Sequence, residues 1–295
     1  MNAARVDVSV ALTCLNAVEH LNGQLNALAR QETALRWELV IADGGSTDGT
    51  LELLGRYARE HRRPRLDVVD ATGGGGIAHG FNVAVRSSHA DRILFCEADD
   101  EVGDGWLDAM ARALEVHEFV ASRQDATKLN PGWAQEARVA GLEHGLQRSW
   151  FPPYLPNAST MGLGVRRELF ERVGGFDETV PVLQDMDFCF AAQLAGAELV
   201  FVPEAVVHYR FRTRFVDIYR QARMYSEHLA RIQRKYKEPG SSLPDDWKWP
   251  LRSWRPIVSH LARAYSKSER GALAWSLGWQ AGRLRGSVKH RVLAR

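Results

Sequence analysis

Residues 8–15 form a mainly apolar run, the pattern of a strand buried in a sheet. Residues 19–31 follow with helical spacing. A second apolar run at 38–42 predicts a strand that ends at Asp43-Gly44-Gly45-Ser46-Thr47-Asp48. Ser46, Thr47 and Asp48 suit a helix N-cap, and Leu51, Leu54 and Ala58 recur after them at helical spacing. A third strand is predicted at 66–69 and a helix around 78–86, after the run Gly73 to Gly76. A fourth strand at 93–96 runs directly into Glu97-Ala98-Asp99-Asp100. Strand and helix in alternation predict an α/β fold with a mostly parallel central sheet flanked by helices on both faces. Ligands of such sheets bind beyond the carboxyl ends of the strands. Asp43 and the 97–100 acids both fall there.

The middle of the chain predicts a helix near 133–147 and an irregular loop through Pro152, Pro153 and Pro156. A strand at 158–165, a helix at 166–173 and a turn at Gly174-Gly175-Phe176-Asp177 follow. Residues 184–194 predict a helix that opens with acids, and 198–207 a strand. From Thr213 the character changes to long, basic, aromatic-rich helices divided by a break at 238–246. The expected organisation is a domain over 1–212 and a helical region over 213–295.

Composition excludes several classes. With 45% hydrophobic and 25% charged residues among 295, the chain is neither disordered, collagen-like nor a coiled coil. No apolar run reaches the roughly 18 residues of a membrane span, and the N-terminus lacks the pattern of a signal peptide. Cys14, Cys96 and Cys189 are far apart, which argues against a disulfide scaffold and a zinc site. A reducing cytoplasm is the expected location. Charge is divided unevenly: residues 205–295 carry 20 Lys and Arg against 6 acids, a balance of +14, and residues 1–204 carry −12. The basic tail suggests an anionic partner: nucleic acid, lipid headgroups or a phosphorylated substrate.

Four groups of residues could carry chemistry. Three carboxylates within Glu97–Asp100 repel each other unless they face solvent or surround a divalent cation, and carboxylates are the ligands Mg²⁺ and Mn²⁺ prefer. Asp43 at a strand end could accept hydrogen bonds from a base or ribose; it also suits an ordinary strand–turn–helix link. Asp185 and Asp187 near a helix N-terminus are favoured by the helix dipole alone, or one of them serves as a general base. His208, with Arg210 and Arg212 after it, could serve a metal and a diphosphate, or be structural and surface charge. The Gly73–Gly76 run lacks the Lys-Ser/Thr of a phosphate loop.

In order, these pieces resemble the family 2 glycosyltransferases. The resemblance rests on Thr13-Cys14-Leu15-Asn16; on residues 37–50 from Trp37 through Asp43-Gly44-Gly45-Ser46 to Thr50; and on Gly76-Ile77-Ala78-His79-Gly80-Phe81-Asn82. Glu97-Ala98-Asp99-Asp100 stands where the family has Asp-x-Asp, and Gly174-Gly175-Phe176-Asp177-Glu178 with Gln184-Asp185-Met186-Asp187 resembles its later turn and Glu-Asp motif. It covers about residues 6–212. It implies a Rossmann-like nucleotide-diphospho-sugar transferase (GT-A) fold and an inverting sugar transfer from a nucleotide-diphosphate donor. Thr13, Asn16, Asp43, Ser46, Glu97 and Asp99 would bind the nucleotide. Asp99 and His208 would hold Mn²⁺ or Mg²⁺, Asp185 would be the base, and Arg210 and Arg212 would meet the diphosphate. Asn157, Ser159, Thr160 and Asp187 would line the sugar and acceptor side. A UDP-sugar is the default donor by family habit, and the acceptor a glycan or lipid-linked glycan.

This sequence departs from the family pattern at Glu97 for Asp, Gln184 for Glu and Thr13 for Pro; Asp99 and Asp185 are retained. In the tail, the apolar residues of 213–236 and the tryptophans Trp247, Trp249, Trp254, Trp275 and Trp279 sit among Arg and Lys. Helices packing an apolar face inward account for most of them. A basic, Trp-rich outer face on an anionic membrane, at its cytoplasmic side, is the further expectation. A nucleotidyltransferase would need a basic, glycine-rich loop where Asn16-Ala17-Val18-Glu19 stands. A non-catalytic nucleic-acid-binding module would leave Asp185 and the acidic cluster without purpose, so no nucleic-acid partner is expected.

Overall fold

The computed structural model describes residues 6–61, 64–138, 140–237 and 253–292. These divide into two compact units. The first comprises residues up to 128 with 140–147 and 156–210; the second comprises 129–139, 148–155 and the chain from 211 onward. The second unit thus draws two segments from within the 1–212 stretch.

The first unit is built on an eight-stranded sheet. In chain order its strands are β1 (Val8–Cys14), β2 (Trp37–Asp43), β3 (Arg65–Asp70), β4 (Arg92–Glu97), β5 (Glu101–Val102), β6 (Phe119–Asp125), β7 (Leu163–Arg166) and β8 (Leu199–His208). Their spatial order is β3-β2-β1-β4-β7-β6-β8-β5. β3, β2, β1 and β4 are parallel, and β6 is parallel to β8. β7 runs antiparallel between β4 and β6, and β5 runs antiparallel to the end of β8.

Side chains alternate across β1 as strand geometry requires. Val8, Val10 and Leu12 meet helices α1 (Leu21–Ala29), α2 (Thr50–Glu60) and α4 (Trp106–Val116) on one face. Ala11 joins the other face, with α3 (Gly76–Ser87), α6 (Arg167–Arg172) and α7 (Gln184–Leu194). That second face is aromatic: the ring centroids of Phe81, Phe95, Phe170, Phe176 and Phe188 lie 4.8–6.1 Å apart in successive contacts. The expected α/β sheet covered on both faces is therefore present.

Three local expectations change. The helix near 133–147 is only α5 (Gly132–Ala137). Beyond it, Leu142 exchanges backbone and side-chain hydrogen bonds with Gln124 at the end of β6, and Gly145 takes a positive φ of 146° that helices exclude. The strand at 158–165 is a 3-10 turn over Thr160–Gly162 followed by β7. Residues 101–125, unassigned from the sequence, supply β5, α4 and β6.

The second unit carries α8 (Phe215–Lys235), α9 (Arg255–Ala262) and α10 (Lys267–His290) with α5. α8 and α10 pack closely because Gly278, Gly282 and Gly286 recur every four residues on one face of α10. A Cβ at these positions would collide with the carbonyls of Tyr219, Arg223 and Glu227 respectively. Glu227, nearly buried, is bridged by Arg285 at 3.1 Å and Lys289 at 3.0 Å. The predicted break at 238–246, with Trp247 and Trp249, lies outside the described residues. Among the described residues no helix is long and apolar enough to cross a membrane.

Candidate active site

Register brings the first candidates level. Cys14 pairs with Asp43 and Asp43 with Asp70, while Thr13 pairs with both Ala42 and Glu97. The carboxyl ends of four parallel strands therefore form one rim. At that rim Asp43 accepts hydrogen bonds from the backbone N–H groups of Gly45 (3.0 Å) and Ser46 (2.9 Å) and from Ser46 Oγ (2.5 Å). Burial works to raise its pKa, but these hydrogen bonds outweigh it and hold the carboxylate below its ordinary range. Asn16, at a φ of 51° that Asn tolerates, donates its N–H to Ser46 Oγ and accepts from Thr47 N–H at 2.8 Å. Asn16, Asp43 and Ser46 are one hydrogen-bonded loop pair, and Thr13 stands beside it. α2 starts one residue later than the predicted cap: Gly49 is its N-cap, and Asp48 bonds the N–H of Thr50 at 3.1 Å.

The second group lies where β4 ends. Ligand atoms of Glu97, Asp99 and Asp100 lie within 4.8 Å of one another. Asp100 is 1% exposed; its Oδ1 accepts the Arg210 N–H at 2.8 Å, and its Oδ2 is buried with no hydrogen-bond partner among the described residues. Burial, then the charges of Asp99 and Glu97, push its pKa well above the carboxylate range. A buried acceptor with nothing to accept from, inside a set of three hard oxygen donors, is what a divalent cation would satisfy. The donor set fits Mg²⁺ or Mn²⁺.

Arg210, expected at a diphosphate, is turned to this loop: its Nε donates to the Asp99 carbonyl at 2.8 Å, and Nη2 lies 3.9 Å from Glu101. Arg212 belongs to the second unit. His208 pairs across the sheet with Glu101, and its Nδ1 lies 2.9 Å from Asp125 Oδ2. His208 is not among the three clustered ligands.

The third group joins the second. Thr160 Oγ1 donates to Glu97 Oε1 at 2.5 Å. Asp185 sits in the first turn of α7, after Leu183 in the left-handed region at φ 66°. Its Oδ1 accepts the Met186 N–H at 2.8 Å. Burial pushes Asp185 up to about 6, against the opposing hydrogen bonds of the Met186, Asp185 and Thr160 backbone. Asp187, in the same first turn, is buried as well. Ser159 Oγ accepts from Gln124, and Asn157 is buried with its amide donating to the Gln147 carbonyl.

Two features were not assigned from the sequence. Asp100 was part of the acidic run without a separate role, and only burial singles it out. Glu178 ties α3 to the glycine turn: it accepts from Asn82 at 2.8 Å and pairs with His79 at 2.9 Å, while Asn82 also bonds both backbone groups of Phe176. The Gly-Phe-Asp-Glu turn is thus held by the segment Gly76 to Asn82.

Comparison with known proteins gives the frame for this geometry. The model described as "Glycosyl transferase family 2" matches residues 9–174, more than half of the chain. The chain belongs to glycosyl transferase family 2. A second model, "Glycosyl transferase family group 2", matches residues 136–261. The succinoglycan biosynthesis protein ExoA of Rhizobium meliloti (strain 1021) is 26% identical over 230 residues, 72% of this chain and 66% of ExoA. The glycosyltransferase AglE of Haloferax volcanii is 24% identical over 68% of this chain and 65% of AglE. The chain spans about two thirds or less of these relatives' length. Among solved structures, the mannosyltransferase PcManGT from Pyrobaculum calidifontis, in complex with GDP-Man and Mn²⁺, superposes with a TM-score of 0.65 at 20% identity, covering 98% of this chain and 88% of that one. S. aureus TarS residues 1–349 in complex with UDP-GlcNAc gives 0.54 at 16% identity over 97% and 93%. These likenesses establish the GT-A fold.

Proposed function

We propose that this family member transfers a sugar from a nucleotide-diphosphate donor to a hydroxyl of a glycan or lipid-linked glycan, with inversion. The observation that carries the reading is the juxtaposition of Glu97, Asp99 and Asp100 with Asp185 through Thr160, at the carboxyl rim of the sheet.

Each residue has a part in the chemistry. Asn16, Asp43 and Ser46 form the nucleoside side of the rim, with Thr13 next to them and Glu97 towards the ribose. Glu97, Asp99 and Asp100 would hold Mn²⁺ or Mg²⁺, and His208, fixed by Asp125, pairs across the sheet with Glu101, the next residue along. A divalent cation so held supplies Lewis-acid stabilisation of charge on the leaving diphosphate. Mn²⁺ in the PcManGT complex supports a divalent ion here. Arg210 would offset the charge of the diphosphate and acidic loop. Asp185 takes the proton of the attacking hydroxyl. A carboxylate whose pKa is raised to about 6 is a stronger base than an ordinary aspartate and is still ionised at neutral pH. Attack from the face opposite the leaving group inverts the anomeric centre. Asn157, Ser159, Thr160 and Asp187 belong to the sugar and acceptor side.

A UDP-sugar is the default donor; the GDP-Man and UDP-GlcNAc complexes of the neighbours keep both bases in view. The basic tail supports peripheral contact with the inner face of an anionic membrane. The test is release of nucleoside diphosphate from a panel of sugar nucleotides, with and without chelator. Chelator-sensitive turnover of one donor, slowed about 10²–10⁴-fold by Asp185→Asn, is expected. Turnover of none, with any cation, overturns the reading.

A further inference from the structure

Among the described residues, α9 and α10 leave two apolar stripes in solvent. On α9 and its cap, Trp254, Val258 and Leu261 recur at steps of four and three, which sets them on one side of the helix. Val258 is 66% and Leu261 63% exposed, and Tyr265 just beyond the helix is 83% exposed. On α10, Leu277, Leu284 and Val288 follow steps of seven and four, well around the helix from the glycines that face α8, and Val288 is 82% exposed. Single exposed aliphatics need no explanation; stripes at helical spacing on consecutive helices do.

The charge around them restricts the occupant. Residues 253–292 carry eight Lys and Arg against one acid, Glu269. That acid is already paired with His260 and, at 3.2 Å, with Arg263. Arg255, Arg263, Lys267, Arg270 and Arg291 are exposed or half-exposed. A second copy of this surface would bring like charges together. Nucleic acid would match the charge and leave the aliphatic stripes in water. An anionic lipid surface satisfies both: aliphatic side chains enter the acyl boundary, Trp254 and Tyr265 sit at headgroup depth, and the cations meet the phosphates.

We propose that the outer sides of α9 and α10, centred on Trp254, Val258, Leu261, Leu284 and Val288, form a docking surface for anionic phospholipid. This deepens the peripheral membrane contact proposed above and rests on it.

The test is flotation of the full chain with vesicles of phosphatidylcholine alone or mixed with phosphatidylglycerol. Binding to the mixed vesicles, weakened by salt, is expected. Val258→Asp with Leu261→Asp should weaken it about tenfold or more, and the milder Val258→Ser with Leu261→Ser should weaken it less. Donor binding is followed on the same proteins as the melting shift caused by sugar nucleotide; both variants should keep it. Loss of vesicle binding with the donor shift retained supports the surface. Binding to neither vesicle, unchanged binding by both variants, or capture by RNA in preference to vesicles overturns it. Absence of any donor shift in the unaltered protein overturns the transfer reading instead, whatever the vesicles show.

Discussion

Thr160 Oγ1 donates to Glu97 Oε1 across 2.5 Å, and the backbone N–H of the same threonine opposes the raised pKa of Asp185. One residue, in a single 3-10 turn before β7, therefore touches the carboxylate cluster at the end of β4 and the acid at the start of α7. Thr160 is fully buried, so its hydroxyl has no water to fall back on.

Thr160→Val keeps the shape and removes the hydroxyl. A hydrogen bond to a charged group contributes about 1.5–3 kcal/mol. If that loss falls on the transition state, kcat/KM drops roughly 10- to 100-fold. Steady-state kinetics of the variant check it, and Thr160→Ser should recover most of the loss.

Asp185 gives the clearest pH dependence. Its native pKa, about 6, is above its ordinary value of 3.8 because burial disfavours the charged form. A base must be deprotonated, so kcat should rise with pH through about 6 and level off above it. Stability runs the opposite way. Between 3.8 and about 6 the native state holds a proton that the unfolded chain has released, so stability falls as pH rises through that window. Asp185→Asn removes the cost of the buried charge. It should raise the melting temperature at pH 8 and leave it little changed at pH 4, while kcat falls about 10²–10⁴-fold. Melting scans at both pH values and a pH–rate profile check both halves.

Much of this was legible in advance. β1, β2 and β4 are apolar runs buried in a parallel sheet, so hydrophobicity alone marks them. Helix α7 begins and ends where its acidic opening and apolar spacing predict. β6 was missed because only Phe119-Val120-Ala121 is apolar. Its buried polar residues find partners at a distance: Ser122 Oγ accepts from Trp106 Nε1 at 2.8 Å, and Gln124 pairs with Leu142. β7, inserted antiparallel between β4 and β6, depends on pairing over some 70 residues of chain with β4 and some 45 with β6, which no local pattern encodes. At the site, residue types were readable and partnerships were not. The Thr160–Glu97 bond and the orphaned oxygen of Asp100 exist only once strands and turns meet.

Asp100→Asn tests that oxygen. The substitution removes one of three crowded carboxylates and the repulsion between them. Mn²⁺ binding to the protein alone, measured by calorimetry, should weaken at least tenfold, with no drop in melting temperature in the absence of cation. Unchanged Mn²⁺ affinity would take Asp100 out of the ligand set.

The α8–α10 contact is tight enough to test with a single methyl. Gly282→Ala places a Cβ against the Arg223 carbonyl, a backbone atom that cannot rotate away. Overpacking of this kind costs about 1–3 kcal/mol. Denaturant unfolding should show the loss, and Gly105→Ala would not serve as a control because its φ of 72° itself strains a side chain. Ala274→Ser, at a half-exposed position of the same helix, should be near neutral.

The most direct measurement is thermal melting against nucleoside diphosphates and sugar nucleotides, each with and without Mn²⁺. A ligand that binds the native state raises its melting temperature. The account predicts a Mn²⁺-dependent rise with one nucleotide base, lost in Asp99→Ala. No rise with any nucleotide, with or without Mn²⁺, would contradict it.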